Sequence, residues 1–486
     1  MRLAVPRPRL VAGSLSLALV AAALAPRLSA AGSPMDEGGL LAYADRILHG
    51  QLPLRDLHSF YGPLGTFVVA FAFKVAGPSL YAERAVGLAY RLVLAGALLG
   101  LVRRRGTPAI VAATVLLLWL LPPQGVAAYA TFGGLAFLTL AILLADHRRA
   151  LAAGVAAGIA LLIRFDWAIA VVLAGIPYFV AWPRRLRARL LAGGAATVAL
   201  YVPYLAVAGR SKLGVFLEGV RQGQAGRHLP VSFTPHGRGL LLDLTFLAIA
   251  VLLVEGFRRR RDDEGLAMLA VAGGAIGLLP YAFDRADHQH IVVAAIAPVV
   301  MLAAAVPAAL GRRGAGVAAV LVVVAAFAVG GTSTLVNLDV FSSSLGSGRD
   351  ASTVAYGGRS FRIGSTYAAE ASRAVRRAAA VAPPHGSLFV GPGDLNVTNY
   401  ADAYIYFLLP QLRPATFYIT LDPGATNLHG EHLLAQLARA DVVVLNDDYD
   451  PPGRVTGAPH GFCLRGRYPP FRVYARCRAS AAGSAM

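Results

Sequence analysis

The stretch LAAGVAAGIALLIRFDWAIAVVLAGIPYFVAWPRRLRAR, residues 151–189, decides how the rest of the chain is read. From Leu151 to Trp182 it is apolar except at Arg164-Phe165-Asp166, and Arg184, Arg185, Arg187 and Arg189 follow at once. One membrane helix needs about 20 apolar residues, so this run is too long for one span and predicts two short helices meeting at the break. An arginine and an aspartate are costly in hydrocarbon, which places the break at one membrane surface and the arginine cluster at the other.

The same pattern extends in both directions. Apolar runs at residues 10–30, 83–101, 109–121 and 127–144 precede the pair, and runs at 191–207, 240–254, 266–283, 291–310 and 317–330 follow it. Arginine clusters occupy alternate turns: Arg2, Arg7 and Arg9; Arg103 to Arg105; Arg148 and Arg149 beside His147; Arg184 to Arg189; Arg258 to Arg261; Arg312 and Arg313. The positive-inside rule then predicts a cytoplasmic N-terminus, about eleven spans and an outer C-terminal region. The small residues Leu28-Ser29-Ala30-Ala31 also suit a signal-peptidase site, so both a retained and a cleaved first helix fit this segment. Residues 62–77 are apolar but short, and predict an interfacial or re-entrant helix.

Composition agrees. Of 486 residues, 56% are hydrophobic and 15% charged, whereas soluble domains carry about a quarter charged residues. The net charge of +19 comes almost wholly from arginine, Lys74 and Lys212 being the only lysines. Its placement in short inter-span clusters argues against a nucleic-acid groove. Residues 1–331 thus predict a polytopic α-helical membrane domain and 332–486 a small extracytoplasmic α/β domain of ordinary size. In the latter, 367–381 has helical periodicity, while 388–390, 404–409 and 442–445 are strand-like. Gly391-Pro392-Gly393 and Asp422-Pro423-Gly424 mark turns. Cys463 and Cys477 are the only cysteines. Outside the cytoplasm a disulfide between them would contribute about 3 kcal/mol in the chain-entropy model; two unlinked thiols are the alternative.

The first outer loop carries Asp36-Glu37 just after the first span, then Gly50, Pro53-Leu54-Arg55-Asp56, Gly62-Pro63-Leu64, and finally Gly77 and Arg84. This order resembles the opening of the GT-C superfamily, membrane glycosyltransferases that use polyprenyl-phosphate sugars and include protein mannosyltransferases and lipid A aminoarabinose transferases. The resemblance covers residues 36–105 and otherwise rests on topology. It implies a GT-C-like fold of about eleven transmembrane helices, a polyprenyl-phosphate sugar donor and an extracytoplasmic acceptor. Asp36 would be the general base, with Glu37 and Asp56 supporting it or positioning a divalent metal. Inverting transfer needs one carboxylate near the acceptor hydroxyl and cationic stabilisation of the departing phosphate. Several such families carry a second acidic residue in the outer turn 122–132; here that turn has no carboxylate, which weakens the case for a metal.

Further candidates lie on the predicted outer side. Arg285, Asp287, His288 and His290 suit a lipid phosphate, Arg55 with Arg164 and Asp166 would extend that pocket, and the alternative is interfacial charge satisfied by water or internal pairing. The loop with Arg210, Lys212, Arg221, Arg227, His228 and His236 would cover the donor or be solvated, and Asn446-Asp447-Asp448 would touch an acceptor or form a strand-end turn. Arg91 is the main candidate for a charge deeper in a span, and near the span's end it could instead snorkel. A flippase of a lipid-linked glycan is the competing function, but such proteins often carry ionisable groups near mid-membrane, whereas here they gather at the outer interface. A membrane-anchored sensor, the third reading, would not need so elaborate a first loop. In a variant lacking Cys463 and Cys477, Asp394→Cys is expected to react with an impermeant maleimide from outside the cell. Reaction from the cytoplasm alone would overturn the topology.

Overall fold

The computed structural model describes residues 7–59, 61–208, 237–284, 286–306, 351–392, 401–421, 433–449 and 459–477. Among these, seven helices are long and apolar enough to cross a membrane, and four shorter apolar helices accompany them. The chain opens with α1 (Arg7–Leu24), α2 (Asp36–Leu48), α3 (Pro63–Ala76), α4 (Leu80–Val102), α5 (Thr107–Leu120) and α6 (Ala130–Asp146). The long apolar run divides as its sequence predicts, into α7 (Ala150–Ile163), a 3-10 turn (Phe165–Trp167) and α8 (Ala168–Ala181). Next come α9 (Arg184–Ala199), α10 (Tyr201–Ala208), α11 (Gly237–Arg258), α12 (Asp263–Asp284) and α13 (His288–Val306). The predicted eleventh span, the basic 210–236 loop and the Asp422-Pro423-Gly424 turn lie outside the described residues.

Local chemistry sets several boundaries. Ser79 caps α4 by accepting from the Ala82 N–H at 3.1 Å, and proline stands in the first turn of α3 and of α5, where a missing N–H costs nothing. Gly77 and Gly106 follow α3 and the end of α4 with φ of 84° and 93°, values that favour glycine. Helices pack through small residues: a Cβ on Gly154 of α7 would strike the Leu190 carbonyl of α9, and one on Gly193 would strike Leu151. In lipid, where burial gives no separate drive to associate, such close approach supplies the van der Waals contact.

The arginine turns converge at one end of the bundle. Arg105 forms a bidentate pair with Glu264 at 2.5 and 2.6 Å. Arg148 reaches Asp263 at 3.1 Å and Arg104 reaches Asp146 at 3.0 Å. Three turns distant in sequence thus share one charged layer, as the alternation requires.

At the other end sits a β-rich C-terminal unit. Strands β1 (Ala351–Tyr356) and β2 (Arg359–Gly364) form an antiparallel hairpin. β3 (Ser387–Pro392), β4 (Arg413–Pro414), β5 (Val442–Asn446), β6 (Phe462–Tyr468) and β7 (Phe471–Arg476) form a mixed sheet in the order β4-β3-β5-β7-β6. Helix α14 (Ala368–Val381) packs on it through Ala371, Ala374, Val375 and Ala378. Cys463 and Cys477 are disulfide-bonded. One predicted strand is corrected: residues 404–409 form a short helix, α15 (Tyr404–Leu408). This run is buried throughout, and for a short, wholly apolar segment periodicity does not separate strand from helix.

The first outer loop is not a solvated excursion, for α2 is the bed on which this unit rests. Asp45, fully buried, accepts from Arg46 at 3.0 Å and from Arg359 at 2.7 Å, while Arg46 also donates to the carbonyls of Pro410 and Leu412. The backbone of Tyr404 lies directly on Gly38, leaving no room for a Cβ. The His58 N–H donates to the Phe417 carbonyl at 2.7 Å, and its ring lies 4.8 Å from that of Tyr418. Burial pushes the His58 pKa from 6.5 down to about 3. The folded protein therefore holds a neutral imidazole, and as pH falls through about 6.5 toward 3 the unfolded chain gains a proton that the folded one refuses. Thermal midpoints of the solubilised protein should fall between pH 7.5 and 5, with a shallower fall in His58→Gln. Equal slopes would show that His58 is not the responsible group.

Candidate active site

Asp36 and Glu37, adjacent in sequence, have different surroundings. The Glu37 carboxylate is buried and takes two hydrogen bonds from the Arg84 guanidinium, at 2.6 and 2.9 Å. Arg84 also donates to the carbonyls of Leu28 and Ala30, each at 2.8 Å, and of Arg27 at 3.2 Å. The pair ties the start of α2 to α4 and to the chain leaving α1, and satisfies carbonyls that the ending helix leaves open. Asp36, one position earlier on the helix, is thereby turned elsewhere. The Ser33 hydroxyl donates to its Oδ2 at 3.1 Å and accepts from its N–H at 3.2 Å.

Asp36 lines a cavity of about 520 Å³. Met35, Leu40 and Tyr43 join it from the α2 region, Ser59 and Tyr61 from the loop, and Thr66 from α3. Tyr281 comes from the end of α12, residues 287–290 from the start of α13, and Thr420 from the C-terminal unit. Asp287 caps α13: its Oδ1 accepts from the His290 N–H at 3.0 Å and pairs with His290 Nδ1 at 2.8 Å. The imidazole is thus oriented by a carboxylate and lies 4.7 Å from the Tyr281 ring. A 19-residue helix aims its N-terminus at the cavity, which favours an anion there.

The last wall is the turn between α5 and α6 together with the first residues of α6, contributing Gln124 and residues 129–132. Three residues of α4, spaced by four, hold it. A backbone N–H, that of Ala128, donates to Glu83. Gly87 admits the Val126 and Ala127 carbonyls where a Cβ would collide. Arg91, fully buried, donates to the carbonyls of Ala127 at 2.8 Å and Gln124 at 3.2 Å, with the Phe132 ring 4.0 Å away. The sequence reading missed this stripe, although a glutamate, a glycine and an arginine at helical spacing in an apolar helix were its visible signal.

The predicted residues are therefore partly assembled. Asp36, Asp287, His288 and His290 meet in the cavity. Arg164 lies behind it, paired with Asp166 at 2.9 and 2.5 Å and enclosed by the rings of Tyr61, Trp167 and Tyr281, each within 4.8 Å. Two of those rings, Tyr61 and Tyr281, line the cavity. Arg55 and Asp56 pair with each other at 2.7 Å away from the cavity lining, beside Tyr204 of α10, whose hydroxyl donates to the Pro53 carbonyl. Glu37 serves Arg84 rather than the cavity, and Arg285 lies outside the described residues. Among the described residues no three His, Cys, Asp or Glu side chains are grouped to hold a metal ion.

This architecture, a helical membrane bundle with a buried acidic first loop under a C-terminal sheet, is the fold seen in solved structures of ArnT. ArnT from Cupriavidus metallidurans, solved bound to undecaprenyl phosphate, superposes with a TM-score of 0.58 at 16% identity, over 97% of this chain and 99% of that one. The same enzyme in the apo state gives 0.55, over 95% and 96%. No protein-family model matches the sequence, and no curated protein does.

Removing one partner of a buried ion pair typically costs about 3–5 kcal/mol, more than an apolar replacement of both. Arg84→Met alone should therefore lower thermal stability strongly, and adding Glu37→Leu should recover part of the loss. Additive losses in the double variant would show that the two side chains are not coupled.

Proposed function

We propose that this chain transfers a sugar from a polyprenyl-phosphate donor to a hydroxyl of an extracytoplasmic acceptor, with inversion at the anomeric carbon. The observation that carries the reading is Asp36: one carboxylate of the adjacent pair faces a cavity that also receives a helix N-terminus, while the other is spent in an ion pair. The likeness to a fold solved with undecaprenyl phosphate supports the same donor class.

Each group has a defined task. The acceptor oxygen attacks the anomeric carbon, the bond from that carbon to the phosphate oxygen breaks, and the hydroxyl proton passes to Asp36. The leaving lipid phosphate is already anionic and needs charge stabilisation more than a proton. The α13 N-terminus and His290, oriented by Asp287, supply it, with Arg164 contributing positive charge behind Tyr281. Ser33 holds the Asp36 carboxylate in place. The outer-face location follows from the arginine alternation.

Losing a positioned base typically costs about 10²–10⁴-fold in rate. Asp36→Asn should lower transfer from a radiolabelled polyprenyl-phosphate sugar by that factor, while binding of the donor stays close to wild type. Transfer at the wild-type rate would reject Asp36 as base. Movement of the lipid-linked sugar across vesicles with no transfer would establish the flippase instead.

A further inference from the structure

The turn between α5 and α6 is held with more care than a connection requires. Its backbone is gripped at Gln124, Ala127 and Ala128 by Arg91 and Glu83, and Gly87 lets it lie against α4. A turn needing only to join two helices could be satisfied by water. This one takes two ionisable side chains into a buried setting, a costly arrangement unless their hydrogen bonds are well made. What it delivers to the cavity is Gln124, Tyr129 and Thr131.

Gln124 is the telling residue. It lines the cavity, is only 7% exposed, and its amide Nε2 has no hydrogen-bond partner. Buried polar groups are nearly always paired, and an orphan donor on a side chain that lines the cavity calls for an acceptor oxygen, which a ligand would supply once the side chain turns toward it. Tyr129, which lines the same cavity as Asp36, adds a phenol hydroxyl. Neutral donors of this kind suit the oxygens of a sugar, whereas the anion-favouring features of the cavity lie at the α13 N-terminus.

We propose that Gln124 is a specificity-determining residue that hydrogen-bonds an oxygen of the donor's sugar, and that Glu83, Gly87 and Arg91 are positioning residues that hold its turn in register. The proposal rests on the glycosyl-transfer reading and deepens it. A side chain that merely packs would not distinguish a lipid phosphate carrying a sugar from one without it, so that contrast is the test.

Wild type, Gln124→Leu and Gly87→Ala are reconstituted in nanodiscs, and binding is measured for undecaprenyl phosphate and for an undecaprenyl-phosphate hexose. Gln124→Leu should weaken the sugar-bearing lipid about tenfold and leave the bare lipid unchanged, with thermal stability no lower than wild type, since an unpaired polar group has been removed. Gly87→Ala, which displaces the turn, should shift the same ratio in the same direction. Equal weakening of both lipids would move the contact from sugar to phosphate and overturn the proposal, as would unchanged affinities. Because Gln124→Leu disturbs no backbone contact, its result stands even where Gly87→Ala folds poorly. If the wild type binds neither lipid and transfers no sugar, the glycosyl-transfer reading itself fails, a result distinct from normal wild-type binding with unaltered variants.

Discussion

Arg84 sits where three pieces of backbone meet: the end of the first helix, the start of α2, and the first turn of α4. Its guanidinium neutralises Glu37 and fills the open carbonyls of Arg27, Leu28 and Ala30. With that pair in place, α2 runs under the C-terminal unit, Asp45 and Arg46 can reach Arg359 and the 410–412 backbone, and Asp36 is left facing the cavity. A buried charge pair is a poor source of net stability compared with apolar packing, but it fixes register, because any slip strands a charge in a low-dielectric setting. Here register is what the site requires, since Asp36 and Glu37 are chemically alike and only their orientation assigns them different tasks.

The cavity divides its chemistry among several elements. One carboxylate comes from α2, an oriented imidazole and a helix N-terminus from α13, neutral donors from the α5–α6 turn, and a single threonine from the C-terminal unit. Thr420 and the Asp45–Arg359 pair make that unit part of the site's architecture rather than an appended module. The opposite end of the bundle is a layer of arginine–carboxylate pairs joining three turns, so the helices that carry the site are tied at both ends.

Much of this was legible in the residues. Hydropathy and arginine placement identified the apolar helices among the described residues, including the break at Arg164, because a bilayer penalises errors in those features more than any other solvent does. Asp36 was legible as a candidate because chemistry and resemblance pointed to the same position. The role of Glu37 was not, since its partner lies on another helix and no local pattern couples the two. Arg55 and Asp56 read as part of the site yet pair with each other beside α10, and the residues of 404–409, with β-favouring side chains, form a helix because their surroundings bury every face. The Glu83–Gly87–Arg91 stripe shows the same limit: its spacing was visible, but what it grips is a turn some forty residues away in sequence.

On the proposed reading, the phosphate–sugar end of a lipid-linked donor enters the cavity beside Asp36. Photocrosslinking tests it most directly, using an undecaprenyl-phosphate sugar with a diazirine on the sugar, followed by peptide mapping. Adducts, competed away by unlabelled donor, are expected to concentrate in residues 35–43, 124–132 and 287–290. Adducts confined to the sheet of the C-terminal unit, or adducts that unlabelled donor does not displace, would contradict it.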